Sequence, residues 1–159
     1  MEFKAKDKYW SMQRAYARLK KINTNNGSEI SNADARDTIE DFFNQAYHFK
    51  DWLKKDPDIV LTNDVEEYIN GNFPLSLAAD YCNSFKHAGL DREPRAGKSI
   101  EKINTHINFV FEPTKGFSTS SSLELTINEQ KYDAFKLATE CIEAWNTFLG
   151  LNHIVIPNP

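Results

Sequence analysis

The spacing of apolar residues divides this chain into segments that suit helices and one segment that does not. Apolar side chains recur every three or four positions, the spacing that buries one face of a helix, in the segments 6–22, 30–55, 65–70, 74–89 and 131–149. Between 103 and 127 they alternate with polar side chains, which is typical of β-strands. The sequence therefore predicts a mainly α fold: a helical bundle of four main helices and one short helix, with a β-hairpin inserted before the C-terminal helix.

Residues that favour caps and turns predict the element boundaries. The second helix, expected to be the longest, should end at Asp56 because a residue before proline is disfavoured in a helix. The other predicted boundaries are a turn at 23–28, an N-cap at Ser31 or Asn32, a cap and acidic first turn from Asn63 and Asp64, a helix start at Pro74, and helix ends at Gly89 and Gly150.

The hairpin is predicted to span about 100–128 and to contain two short strands joined by a long loop. Alternation is clear over 103–111 and again over 123–127. The Ser-rich stretch 113–122 between them is predicted to be a loose connection. The last helix should then run from about 131 to 149, and the tail after it should lie along the surface.

Length and charge limit the kinds of protein this chain can be. With 159 residues, of which 40% are hydrophobic, it is predicted to be one domain covering 1–159. A net charge of −4 gives no overall attraction to nucleic acid or to an anionic membrane, so any RNA contact needs a local patch. The charged N-terminal segment and the lack of a long apolar run predict no signal peptide and no membrane span, and Cys82 and Cys141 are expected to be reduced and packed. We therefore expect a cytoplasmic protein.

Two predicted helices carry matching polar stripes beside their apolar faces. On the fourth helix, the positions i, i+4, i+7 and i+11 are Ser76, Asp80, Asn83 and His87. On the second helix, the same spacing gives Asn44, His48, Asp51 and Lys55. Because such spacing puts side chains on one side of a helix, we expect the two stripes to face each other, with His48 and His87 in a common pocket.

These side chains allow more than one interpretation. Asn83 and Asp80 could hold the His87 ring in one tautomer for proton transfer, or the stripe could be an ordinary polar helix face. His48 with Asp51, and Asp80 with Asn83 and His87, could also supply metal ligands. However, the chain has no Glu-x-x-His pair and no CxxC pair. No metal and no cofactor are therefore predicted, and no Cys–His spacing indicates a nucleophile.

The segment Cys82-Asn83-Ser84-Phe85-Lys86-His87 resembles a motif of the HEPN superfamily, small all-helical domains common in bacterial toxin–antitoxin and phage-defence systems. The motif is an arginine, a polar residue, several variable positions and a histidine, so Asn83 and His87 match it. The resemblance implies a dimer that cleaves RNA without metal. His87 would then act on the attacking 2′-hydroxyl or the leaving oxygen, and Asn83 would orient it.

This chain departs from the motif at Cys82, which stands in place of the arginine and is predicted to face the core. Without a fixed cation at the phosphorane, such a ribonuclease loses the electrostatic stabilisation that is usually its largest contribution. The cationic residues that could substitute are Lys50, Lys86, Arg92 and Arg95. A non-cleaving relative is therefore an equal interpretation.

Lys50 and Trp52 also allow two interpretations. They could contact a nucleotide through charge and stacking. The alternative, which the sequence favours, is that Trp52 is partly buried against the core and that Lys50 is solvated.

The sequence thus predicts a polar site on the second and fourth helices. The expected catalytic residues are His87, Asn83 and His48, and the expected substrate-binding residues are Lys50, Asp51, Asp80, Lys86 and Arg92. The predicted function is engagement of RNA or a nucleotide at this site, with a homodimer or a protein partner as the assembly. The alternatives are a non-catalytic structural or interaction protein with a buried polar network, and then a metal-binding helical protein.

Overall fold

A computed structural model of the chain describes residues 2–24, 32–86, 95, 100–114, 116–127 and 129–159. Its elements are α1 (Ala5–Thr24), α2 (Asn32–Lys55), α3 (Val65–Asn70), α4 (Phe73–Lys86), β1 (Ile100–Glu112), β2 (Gly116–Ile127), β3 (Gln130–Asp133) and α5 (Ala134–Leu151). The predicted fold class is confirmed, with four main helices, one short helix and an antiparallel hairpin before the last helix. At 24 residues, α2 is the longest helix described.

The helices pack around a core of large aromatic side chains. Phe42, Phe49 and Phe148 are fully buried, and the Phe49 ring meets the edge of Trp145 at a centroid distance of 5.2 Å. The Trp145 indole N–H donates to the Ala46 carbonyl of α2 at 2.9 Å. Burial of this N–H is therefore compensated, and α5 is fixed against the middle of α2.

Side-chain caps define the described ends of the short elements. Asp64 is the N-cap of α3 and accepts from the Glu67 N–H at 2.9 Å, as its position in the sequence predicts. Asp56, which follows α2, is buried and accepts from the Ala5 N–H at 2.7 Å. The start of α1 is thereby tied to the end of α2. Residues 23 and 24 of the predicted turn at 23–28 are helical, since α1 continues through Thr24. The rest of that turn, the alternative cap Ser31 and the predicted helix end Gly89 lie outside the described residues.

The predicted long loop in the hairpin is wrong, because the Ser-rich stretch belongs to a strand. Antiparallel pairing of β1 with β2 runs from Ile100↔Ile127 to Glu112↔Gly116, which confines the turn to residues 113–115. Gly116, with a φ of 79°, starts the return strand in the left-handed region. Pairing with β1 in register gives this stretch the hydrogen bonds of an antiparallel ladder, and this outweighs the preference of serine for loops.

The last helix also begins later than predicted, since residues 130–133 form β3. This strand pairs with the end of β2 and makes the sheet three-stranded, in the order β1-β2-β3. Asp133 accepts from the Lys136 N–H at 2.8 Å and so sets the start of α5. At its other end α5 continues through Gly150, the predicted stop, because Asn152 caps the last turn.

The segment after α5 packs against α1, in agreement with the sequence. Trp10 donates its indole N–H to the Pro157 carbonyl at 2.9 Å, and the Ile154 N–H donates to the Leu149 carbonyl at 2.9 Å. Both cysteines are free thiols in buried positions, as expected. In the described part of the chain, no helix has both the length and the apolar character required to cross a bilayer.

Candidate functional site

The polar stripe of α2 meets α4 at Cys82. The Cys82 thiol donates to the Asn44 Oδ1 at 2.8 Å, and its sulfur lies 3.3 Å from the His48 Nε2. Cys82 is buried, with 3% of its surface exposed. Asn44 and His48 of the stripe therefore contact α4 at a residue outside its polar stripe. The core-facing position expected for Cys82 is confirmed, and this core position is in contact with an imidazole.

Asp51 lies on the other side of the same imidazole. Its Oδ2 is 3.2 Å from the His48 Nδ1, one helical turn further along α2, and the side chains of both residues are 41% exposed. Asp51, His48 and Cys82 therefore form a row with the ring in the middle. We refer to these three residues as the Cys82 row.

A second group of polar side chains surrounds Glu66, in the first turn of α3. Its carboxylate accepts from Lys50 and Lys54 at 2.7 Å each and from Arg95 at 3.1 Å. We refer to these four residues as the Glu66 cluster. Partial burial raises the pKa of Glu66, but the hydrogen bonds from the three cations outweigh it and hold that pKa at about 2.

Lys50 occupies a different environment from the one the sequence favours. The residue is only 8% exposed, so the expectation of a solvated lysine is wrong. Burial lowers the pKa of Lys50, and the hydrogen bond to Glu66 reverses that effect and raises it overall. The spacing of residues along α2 could not reveal this, because the compensating carboxylate belongs to α3.

The Tyr47 ring links the two groups. Its centroid is 5.3 Å from the His48 ring, 4.5 Å from the Lys50 Nζ and 5.9 Å from the Arg95 Cζ. Both cations lie over the ring, an arrangement that its quadrupole favours. The Cys82 row and the Glu66 cluster are therefore neighbours along α2.

The polar stripe of α4 is buried rather than open. Asp80 and Ser76 are each 1% exposed; Asp80 accepts from the Arg95 backbone N–H at 2.8 Å, and Ser76 donates to the Ile69 carbonyl at 2.6 Å. Asp80 thus holds the backbone of Arg95, a member of the Glu66 cluster. The Arg95 guanidinium also donates to the Asn70 side chain at 3.3 Å. Asn83 is half-buried at the end of this stripe.

Two other residues of α2 lie near the N-terminal segment. Trp52 is half-buried and meets the Phe3 ring edge-on at 5.3 Å, while Lys8 lies 5.8 Å from the Trp52 ring. Lys55, the last member of the predicted stripe, lies 5.2 Å from the Phe3 ring. Lys55 is thus directed toward a different neighbour from His48.

Several predicted site residues cannot be placed. His87, Arg92 and the side chain of Lys86 lie outside the described residues, so a pocket shared by His48 and His87 stays a prediction. Within the described part of the chain, no group of three or more His, Cys, Asp or Glu residues could hold a metal ion. In the Cys82 row, Asp51 and Cys82 contact opposite nitrogens of one imidazole ring, so the three side chains do not converge on a single metal position.

Sequence reasoning missed the role of Glu66 and the pairing of Cys82 with His48. Glu66 was expected only as part of an acidic first turn, and the signal that could have singled it out was its place between two basic segments. Comparisons of the chain with protein-family models, with curated proteins and with solved structures give no match.

Proposed function

We propose that this chain binds single-stranded RNA through the cations of the Glu66 cluster. The observation that carries the proposal is the charge balance: three cations, Lys50, Lys54 and Arg95, share the Glu66 carboxylate, and with the Asp80 carboxylate that holds Arg95 one positive charge remains in excess. This excess stands out on a chain whose net charge is −4. Phosphate groups are the natural counter-charge for such a patch.

Two of the three cations are available to a ligand. The side chain of Lys54 is 41% exposed and that of Arg95 is 23% exposed, whereas Lys50 is buried beneath them. Arg95 can present two parallel N–H groups to a phosphate, and Lys54 adds a mobile point charge. Lys50 and Tyr47 therefore support the site, and Lys54 and Arg95 would contact the backbone of the RNA.

The resemblance to HEPN domains agrees with this assignment and favours binding over cleavage. Cys82 takes the place of the motif arginine and is a buried donor to Asn44. Asp80, two residues before Cys82, holds Arg95, so a cation that this chain lacks at the motif position is brought to the same helix from elsewhere in the chain. In this proposal Arg95 neutralises phosphate, and no cation is positioned on a reacting phosphorane.

The binding proposal is tested by fluorescence anisotropy with a labelled single-stranded RNA over a series of salt concentrations. Lys54→Ala and Arg95→Ala should each weaken binding and reduce the slope of log K against log salt by about 0.7, the value for one lost phosphate contact on a single strand. The matched control is Lys131→Ala, because Lys131 pairs with Glu124 in the sheet. Equal effects of all three variants, or no RNA binding by the wild type, would contradict the proposal.

Cleavage is a separate test. If the chain is an active HEPN-like nuclease, wild-type protein cuts single-stranded RNA without added metal, and His87→Ala abolishes cutting with little change in melting temperature. If the wild type leaves the RNA intact at concentrations that saturate binding, the catalytic roles expected for His87, Asn83 and His48 are wrong.

A second candidate function is that of a non-catalytic interaction protein whose polar groups serve packing. It is favoured by the burial of Ser76, Asp80 and Cys82, each of which has a hydrogen-bond partner within the chain. In that case Asp80→Asn would lower the melting temperature by several degrees, and the protein would bind no RNA.

A further inference from the structure

The two cysteines of this chain lie in contrasting environments. Cys141 is fully buried in α5 and donates to the Pro74 carbonyl at 3.4 Å, and burial raises its pKa well above the usual range. Cys82 is nearly as buried, but its sulfur contacts the ring of His48, which is in turn hydrogen-bonded to Asp51. A nucleophile, a base and a group that orients the base therefore occur in one row.

The hydrogen-bond roles in this row follow from which groups can donate. The Asp51 carboxylate can only accept, so the His48 Nδ1 that contacts it carries a proton. The Cys82 thiol has one proton, which can lie toward Asn44 or toward the His48 Nε2. When Nε2 takes this proton, the row holds a thiolate next to an imidazolium.

The same geometry suits a thiolate. Rotation of the Asn44 amide about its last bond would present its NH2 group to the sulfur in place of the oxygen, so this side chain can serve the thiol and the thiolate alike. An imidazolium at 3.3 Å stabilises a negative sulfur. The thiolate, and not the thiol, is the reactive form of cysteine.

Charged groups on two helices act on this sulfur. His48 and Asp51 contribute from α2. Lys8 contributes from α1: burial lowers the pKa of its ammonium, while the charges of Asp41, Asp51 and Cys82 act in the opposite direction. The sulfur is therefore influenced by the Lys8 ammonium as well as by the imidazole.

We propose that Cys82 is a peroxide-reactive thiol, activated by His48 and held in that state by Asp51. The reagent class follows from the burial of the residue: with only 3% of the Cys82 surface exposed, the reagent has to be a very small molecule. Hydrogen peroxide fits this description. The site is independent of the proposed RNA contact, which uses other side chains.

The reaction balances with the groups present. The Cys82 thiolate attacks one peroxide oxygen, an S–O bond forms and the O–O bond breaks. The imidazolium of His48 gives its Nε2 proton to the departing hydroxide, which leaves as water. Sulfur is oxidised by two electrons to sulfenic acid and the peroxide is reduced. Asp51 is a positioning residue, because it acts on the sulfur only through the ring.

The first test needs no variant, because Cys141 is a control within the same chain. Native protein is treated with hydrogen peroxide for a series of times, the peroxide is removed with catalase, the protein is then unfolded in the presence of dimedone, and the sulfenic acid labelled at each cysteine is measured by mass spectrometry. Cys82 should be oxidised at least tenfold faster than Cys141, and unfolding before the peroxide step should remove the difference. Equal rates in the native protein, or labelling of neither cysteine, would overturn the proposal.

The second test separates activation from packing. Asp51→Asn keeps the size of an exposed side chain and should slow Cys82 oxidation several-fold, whereas Asp58→Asn, which removes an exposed carboxylate elsewhere, should not. The pH profile of the rate should change in His48→Gln, because the ring exchanges a proton with the sulfur and with the departing hydroxide. A wild-type profile that both variants reproduce would assign His48 and Asp51 a structural role alone.

Discussion

Glu66 accepts hydrogen bonds from three cations and still keeps a third of its side chain exposed. This residue stabilises the contact between α2 and α3. Because one carboxylate serves three cations, it neutralises their charge only in part. The sequence could place His48 and Asp51 on one side of α2, because that needs only the helical period. It could not identify Glu66 as the partner of Lys50 or Arg95, because these contacts join residues 16 and 29 positions apart.

The charge on Glu66 makes part of the stability of the protein depend on acid pH. Its pKa in the folded protein is about 2, below the value of about 4.3 expected when unfolded. The stabilisation is therefore fully present above about pH 4.3 and is lost as the pH falls toward 2. In urea unfolding, Glu66→Gln should be less stable than wild type at pH 6, and the gap should narrow at pH 2.5. Glu67→Gln, the exposed neighbour, should show no such gap, and a pH-independent gap at Glu66 would contradict the assignment.

At the scale of elements, local sequence rules predicted the helices well and the sheet less well. Helix ends depend on caps within a few residues, as Asp64 and Asp133 show. Whether residues 116–122 form a strand depends on a partner that lies up to 16 positions away, as in His106↔Ser122. The predicted helix end at Gly150 is wrong because α5 is capped by Asn152, whose side chain hydrogen-bonds back to Phe148.

Two glycines in different elements should respond to alanine in opposite directions. A Cβ atom would meet nothing within 4 Å at either Gly116 or Gly150, so only the backbone decides the result. Gly116→Ala forces a side chain into the left-handed region at φ 79° and should cost about 1 kcal/mol. Gly150→Ala lies in α5 and should stabilise by about 0.5 kcal/mol. Thermal unfolding checks both signs, and a shift in the same direction for both would contradict this account.

At the scale of the whole molecule, Asn152 joins the C-terminal helix to the connection between α2 and α3. Its Oδ1 accepts from the Thr62 and Asn63 N–H groups at 2.9 and 3.0 Å, and its Nδ2 donates to the Phe148 carbonyl at 2.8 Å. The residue is buried. The contacts of Asn152 with Thr62 and Asn63 join residues 90 and 89 positions apart in sequence, so no local pattern could have predicted them.

Loss of this side chain should affect the whole fold. Asn152→Ala removes the acceptor for two backbone donors and should cost about 2–3 kcal/mol, which lowers the melting temperature by about 4–12 °C. The control is Asn146→Ala, whose side chain accepts one exposed hydrogen bond from Tyr9 and should cost under about 1 kcal/mol. Equal losses in the two variants would show that Asn152 has no special role.

Strand pairing and side-chain burial differ between the two ends of the hairpin. β3 pairs with β2 only from Glu124 to Ile127, and the buried side chains of Leu123 and Leu125 lie at that same end. Toward the Phe111↔Phe117 pair, the ribbon consists of two strands in the described part of the chain. A two-stranded ribbon is only marginally stable in water. Thermal fluctuations should therefore unzip it from the tip, and amide deuteration should advance from residue 116 toward residue 125 as a gradient.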